Sequence, residues 1–109
     1  MATGGFKKRA QAMDAVSSGA IDFVGLARAM VLDPRLAEAW LTEDGGDPEF
    51  PTFESAPPGA ITAWYTMRLT ALGEDREDSF TLDLPSAIRI YEERDAQRCL
   101  AWQKKFSDE

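Results

Sequence analysis

Apolar positions along this chain fall into separate runs, divided by glycine, proline and acidic residues. Residues 7–18 are largely polar, but Ala10, Met13 and Val16 recur at the three-residue step of a helix face, and Gly19 follows as a stop. That spacing predicts a helix over 7–18. From Ala20 to Leu26 only Asp22 is polar, the short near-continuous run expected of a parallel strand covered on both faces. Asp33-Pro34 then reads as a helix start, with Asp33 as N-cap and Pro34 in the first helical position. Leu36, Ala37, Trp40 and Leu41 form the predicted buried face of this helix, which runs to about Thr42.

The pattern changes at 43–59, where three glycines, four prolines and five acidic side chains show little periodicity. This segment reads as a loop. Its Phe50 and Phe53 are too apolar for a free linker, so they are expected to pin it onto a neighbouring surface. A helix follows from about Ala60 to Leu72, with Ile61, Trp64, Tyr65, Leu69 and Leu72 at steps of three and four, and Gly73 is its natural stop. After an acidic turn at 74–78, Asp83 caps a long helix with Pro85 in its first turn. Leu84, Ile88, Tyr91, Cys99, Trp102 and Phe106 line one face of it, interrupted by Asp95. Two helices with matching stripes are expected to pack as an antiparallel hairpin. Helix, glycine and buried strand together form an α/β signature. The predicted organisation is an α/β segment over 1–42, a loop over 43–59 and a helical extension over 60–109.

Composition narrows the chemistry. The 109 residues carry 12 basic and 19 acidic side chains, a net charge of −7, which disfavours nucleic acid and anionic membrane surfaces as partners. The Ile21 to Leu32 run is too short and too polar to span a membrane, and no signal-peptide pattern opens the chain, so the cytoplasm is the expected compartment. Cys99 is the sole cysteine and histidine is absent. Intramolecular disulfides, cysteine-cluster or histidine-ligated metal sites, and Ser-His or Cys-His nucleophiles are thereby excluded. Trp64, Tyr65, Tyr91 and Trp102 sit at helical spacing and read as core, and Cys99 on the same stripe reads as a small buried hydrophobe. Asp95 interrupts that stripe and would need an ion-pair partner if buried; Arg94 and Arg98 flank it, with Arg68 or Arg89 as alternatives. Glu92 and Glu93 read as a solvated face rather than an acid–base pair.

One pair of features points to a ligand. Gly4 and Gly5 offer a backbone that approaches phosphate oxygens without a Cβ in the way, and Lys7 and Lys8 stand close by to add positive field. Arg28, expected just past the end of the Phe23 to Leu26 strand, offers a planar fork to the same anion. Each has a plain alternative: a strand-to-helix turn for the glycines, and helix capping or a salt bridge to Asp33 for Arg28. Their spacing sharpens the picture. T-G-G-F, a helix of about a dozen residues, then S-G-A-I-D-F-V-G-L-A-R-A-M-V-L-D-P-R-L resembles the last barrel segment of the old yellow enzyme family of NADH:flavin oxidoreductases.

The resemblance implies that the glycine turn follows the seventh strand of a (β/α)8 barrel and that the strand leading into Arg28 is the eighth, both holding an FMN phosphate. Gly4 and Gly5 then correspond to the turn, and Ala27 and Arg28 to the strand-eight amide and guanidinium. Ala27 stands where many members have glycine, which leaves the backbone amide in place. Residues 58–69 and 84–102 resemble the helical C-terminal extension of a bacterial subset of these proteins. A complete barrel needs at least about 200 residues. The expectation is therefore a barrel-closing fragment, mostly helical, with an incomplete barrel and a C-terminal helical hairpin. It would contribute an FMN grip but no catalytic residue, with NAD(P)H as hydride donor in the parent enzyme, and would be inactive alone. Stripped of its barrel neighbours, the Ala20 to Leu26 strand would invite either self-association or collapse of the helical tail over it. The alternative is a small helical interaction module that binds no flavin, resting on the long amphipathic helix over 84–106 and the acidic surface.

Overall fold

A computed structural model describes residues 1–42 and 45–107; Glu43 and Asp44 of the 43–59 loop, and Asp108 and Glu109 of the tail, lie outside the described residues. The described residues are mostly helical, with one short pair of parallel strands among them, and the chain divides into two compact units, Met1–Thr52 and Phe53–Glu109.

In the first unit, β1 (Ala2–Thr3) leads into α1 (Arg9–Ser17), and the chain returns as β2 (Val24–Gly25) beside β1. The strands are parallel, in the register Ala2↔Val24 and Thr3↔Gly25, and the Ala2 N–H donates to the Phe23 carbonyl at 3.1 Å. A helix between two parallel strands is the minimal crossover unit. Its strands approach so closely that a Cβ on Gly25 would stand 2.9 Å from the Thr3 Cβ, so this position has no room for a side chain.

The predicted seven-residue strand is thus reduced to two residues. With only two residues of β1 to pair against, the flanks of β2 leave the ladder, and Phe23 is 70% exposed instead of being covered on both faces. The apolar stripe of α1 is likewise uncovered, since Met13 and Val16 are exposed and the helix buries no residue. The first turn of α1 is anchored from both directions. Gln11 Oε1 accepts from the Lys7 and Lys8 backbone N–H groups, and Asp47 Oδ1 accepts from the Arg9 N–H at 2.7 Å. The Arg9 Nε donates in turn to the Trp40 carbonyl at 2.8 Å.

A short helix that the pattern did not predict, α2 (Arg28–Leu32), precedes Asp33, and the helix expected from Asp33 to about Thr42 is present in shortened form as α3 (Leu36–Trp40). Asp33 does cap a turn, but through Arg35: its Oδ1 accepts from the Arg35 N–H at 3.0 Å, and Pro34-Arg35 forms the bend before α3. On this short helix Leu36 is fully buried and Trp40, four residues on, is half-buried, while Ala37 and Leu41 are exposed. Beyond α3 the loop is held through aromatic faces, with Lys7 Nζ 5.1 Å from the centroid of the Phe50 ring.

The second unit has a denser core. Helix α4 (Ala60–Gly73) buries Ala60, Ala63, Trp64, Tyr65, Met67 and Ala71. Leu69, expected inside, is 56% exposed, because the buried seam follows the small residues Ala60, Ala63 and Ala71 that permit close approach. Trp64 is the hub. Phe53, Tyr65 and Phe80 meet it edge-on at ring separations of 5.4, 5.0 and 5.2 Å, and its Nε1 donates to the Leu82 carbonyl at 2.9 Å. Edge-to-face rings with a satisfied indole N–H are the favourable arrangement for a buried tryptophan. Gly73 stays within α4; the left-handed residue that turns the chain away is Asp75, at φ 54°.

Helix α5 (Leu84–Lys105) starts as predicted, with Asp83 Oδ1 accepting from the Ser86 N–H at 2.8 Å and Pro85 in the first turn. The helices do not form an antiparallel hairpin. Leu82, just before α5, meets Trp64, whereas Arg94, far along α5, meets Thr70 further along α4, so both helices advance in the same sense where they touch. The intervening segment, with a 3-10 turn at Glu77–Ser79, runs back beside α4 and brings Phe80 under Arg68 and onto Trp64. An extended chain of that length easily covers the return.

Helix α5 is 22 residues long against 14 for α4, about 33 Å against about 21 Å. Its final turns therefore have no counterpart on α4. Cys99, Leu100, Trp102 and Phe106 are exposed there, which overturns the expectation of a buried cysteine and a core Trp102. Asp95 is exposed as well, so no buried ion pair is required, and Arg94 bonds to Thr70 instead.

Candidate functional site

The parallel register sets the geometry of the site. Past the ladder, one strand continues into Gly4-Gly5 and the other into Leu26-Ala27-Arg28, so both segments leave the carboxyl end of the same two-stranded pair. Ligands of parallel α/β folds bind at that end. Gly4 and Gly5 have φ of 95° and 78°, a region that disfavours side chains, and no atom lies within 4 Å of the place a Cβ would occupy on either. The backbone of both residues is exposed to solvent.

On the neighbouring segment, Ala27 is the N-cap of α2, with φ −121° and ψ −82°, and its carbonyl accepts from the Met30 and Val31 N–H groups. Arg28 is the first helical residue and is exposed. At five residues α2 is too short for a helix dipole to carry weight, so attraction for an anion at this end rests on the Arg28 guanidinium and backbone N–H groups.

Two expectations change at this site. The glycine pair does not open α1 directly, since Phe6, Lys7 and Lys8 intervene before Arg9. Lys7 turns towards the Phe50 ring. The residues the sequence reading missed are Arg9 and Asp47, which hold the start of α1 in place behind the glycine turn. Asp47 lies 38 residues from Arg9 inside the Gly/Pro-rich loop, where no local pattern marks an acid as a cap for a distant helix.

The chemistry of the donor set suits a phosphate: glycine backbone at positive φ with open space where a Cβ would stand, and an exposed arginine at the start of the segment that leaves the same end of the strand pair. Among the described residues no group of three or more acidic, cysteine or histidine side chains is placed to hold a metal ion, and no helix is long and apolar enough to cross a membrane. No protein-family model, curated protein or solved structure matches the chain.

Proposed function

We propose that this chain is the closing segment of an FMN-dependent NAD(P)H:flavin oxidoreductase of the old yellow enzyme kind, and that Gly4, Gly5, Ala27 and Arg28 hold the FMN phosphate. The observation that carries this reading is the shared exit of Gly4-Gly5 and Ala27-Arg28 from one end of a parallel strand pair, with both glycines at positive φ. When bound, FMN supplies the hydride and electron chemistry of that family. The residues of this chain contribute positioning. The glycine backbone admits phosphate oxygens at close range, Arg28 neutralises their charge through a two-pronged hydrogen-bonding face, and the Arg9–Asp47 tie keeps the turn and α1 together. With no histidine in the chain, the protonation and polarisation of a substrate fall to residues outside this segment, and the segment alone is inactive. Cytoplasmic residence and pairing of the β2 edge with a further strand, or with a second copy through Ala20 to Leu26, belong to the same proposal.

Titration with FMN, followed by quenching of its fluorescence, tests the grip. Quenching that saturates at high micromolar FMN and weakens in Arg28→Ala is expected; an unchanged affinity in that variant removes Arg28 from the site. No binding in that range would favour the second reading, an interaction module that binds no flavin. The specific observation on its side is the exposed Leu100, Trp102 and Phe106 on the last turns of α5.

A further inference from the structure

We propose that a cleft within the second unit binds a small organic anion, a carboxylate with an apolar body, and that Arg94 is its anchor. The cleft lies between α4, the returning 79–83 segment and the first turns of α5, is partly open to solvent and offers about 410 Å³. That volume falls within the range of small-molecule sites. Met67, Phe80, Leu82 and Ile90 supply apolar walls, and Thr70 and Arg94 stand at one end.

Charge is distributed unevenly along it. Arg94 is half-buried, and its Nη1 donates to Thr70 Oγ1 at 3.0 Å. The Thr70 hydroxyl spends its own proton on the Thr66 carbonyl at 3.0 Å, so its oxygen is turned to accept from the guanidinium and fixes it in place. Among the described residues Arg94 forms no ion pair; the salt bridges there join Arg76 to Glu74 and Arg89 to Glu93. The centroid of the Tyr91 ring lies 6.0 Å from the guanidinium carbon. A guanidinium has five N–H donors in a planar fork, and one fixed by a neutral hydroxyl at the end of an apolar cleft offers its remaining donors to a bidentate carboxylate.

Arg76, its charge offset by the ion pair with Glu74, also lines the cleft, and its backbone N–H meets the Ala71 carbonyl, which leaves Arg94 as the unpaired cation at that end among the described residues. Asp83 lies at the other end, beside Leu82 and Trp64, with its carboxylate turned to the Ser86 N–H. The anionic head is therefore directed to Arg94 and the apolar body towards Phe80 and Leu82. A chain of net charge −7 does not collect anions by its overall field, so attraction here is local. This site is separate from the phosphate grip of the first unit and does not depend on it.

Titrating the full chain with octanoate, and separately with 1-octanol, while recording backbone amide resonances tests the proposal. Octanoate is expected to shift the Thr70, Leu82, Ile90 and Arg94 amides and to bind about tenfold more tightly than octanol, the difference being the ionic head. Arg94→Gln should remove most of that difference, and Arg94→Lys should retain part of it. Equal affinity for the acid and the alcohol in the unaltered chain overturns the proposal without need of any variant. So does an Arg94→Gln protein that keeps its dispersed spectrum and binds octanoate unchanged. Shifts confined to residues 99–106 would assign binding to the exposed turns of α5 and also overturn it.

Discussion

The two units bury apolar side chains very unequally. Met1–Thr52 fully encloses Ala29 and Leu36, whereas Phe53–Glu109 encloses Ala60, Ala63, Trp64, Tyr65, Met67, Ala71 and Ala87. The unit with the weak interior is the one that carries the strand pair and the glycine turn. Its α1 shows an apolar stripe with nothing upon it, its Phe23 stands in solvent, and its two strands are two residues long. The unit with the stronger interior is organised by one aromatic hub and small-residue packing. The contrast separates a helical layer packed around an aromatic hub from an α/β element whose faces are patterned to be covered on both sides. It accords with the proposal that the first unit is the edge of a larger parallel sheet.

The largest expected effect on this contrast comes from Trp64→Ala. Removing the hub strands Phe53, Phe80 and the Leu82 carbonyl, and should cost about 3–5 kcal/mol, read as a fall in the denaturant midpoint of the α4–α5 helical signal. Leu36→Ala comes next, at about 2–3 kcal/mol, and should act on the first unit. Hydrogen exchange reads this directly: the α2 and α3 amides should lose protection while those of α4 keep theirs. A Leu36→Ala protein whose α4 amides lose protection equally would break the distinction between the units.

Gly5→Ala should cost about 1–2 kcal/mol, since φ of 78° is unfavourable for an L side chain even where space is open. Thermal denaturation measures it, and a neutral result would mean that the turn relaxes out of the left-handed region. The smallest effect is that of Asp83. Its hydrogen bonds from Ser86 hold the carboxyl below its ordinary value of 3.8. A carboxylate with a lowered folded pKa stabilises the fold above its unfolded pKa and loses that contribution as pH falls through the folded one. The pH profile of α5 stability should thus decline below about pH 4 in the unaltered chain. In Asp83→Asn this part of the decline should be missing.

What was legible in the sequence follows the range of the interaction responsible. Helix α4, the start of α5 at Asp83 and the glycine turn depend on residues within a few positions of one another, and their signals are local. The second strand was readable from the apolar run at Ala20 to Leu26 and the first only as what the resemblance implies, but their length was not, because a strand extends only as far as its partner does. The apolar stripe of α5 predicted a partner along its whole face. Whether α4 reaches that far depends on where α4 starts and on the direction in which the 74–83 segment returns, and Trp64 and Thr70 decide that through long-range contacts. Periodicity marks which face is apolar; it does not say how much of the face finds cover. For the candidate site, the glycine pair and Arg28 could be named from residue type and spacing together with the family resemblance, whereas the Arg9–Asp47 tie had no local signal.

The central claim, that Gly4-Gly5 and Ala27-Arg28 form a phosphate grip, is tested most directly by comparing FMN with riboflavin, which lacks the phosphate, in backbone amide spectra of the full chain. The account predicts that FMN shifts the Gly4, Gly5, Ala27 and Arg28 amides and that riboflavin leaves them in place. Equal shifts from both compounds, or none at these four residues from FMN, would contradict it.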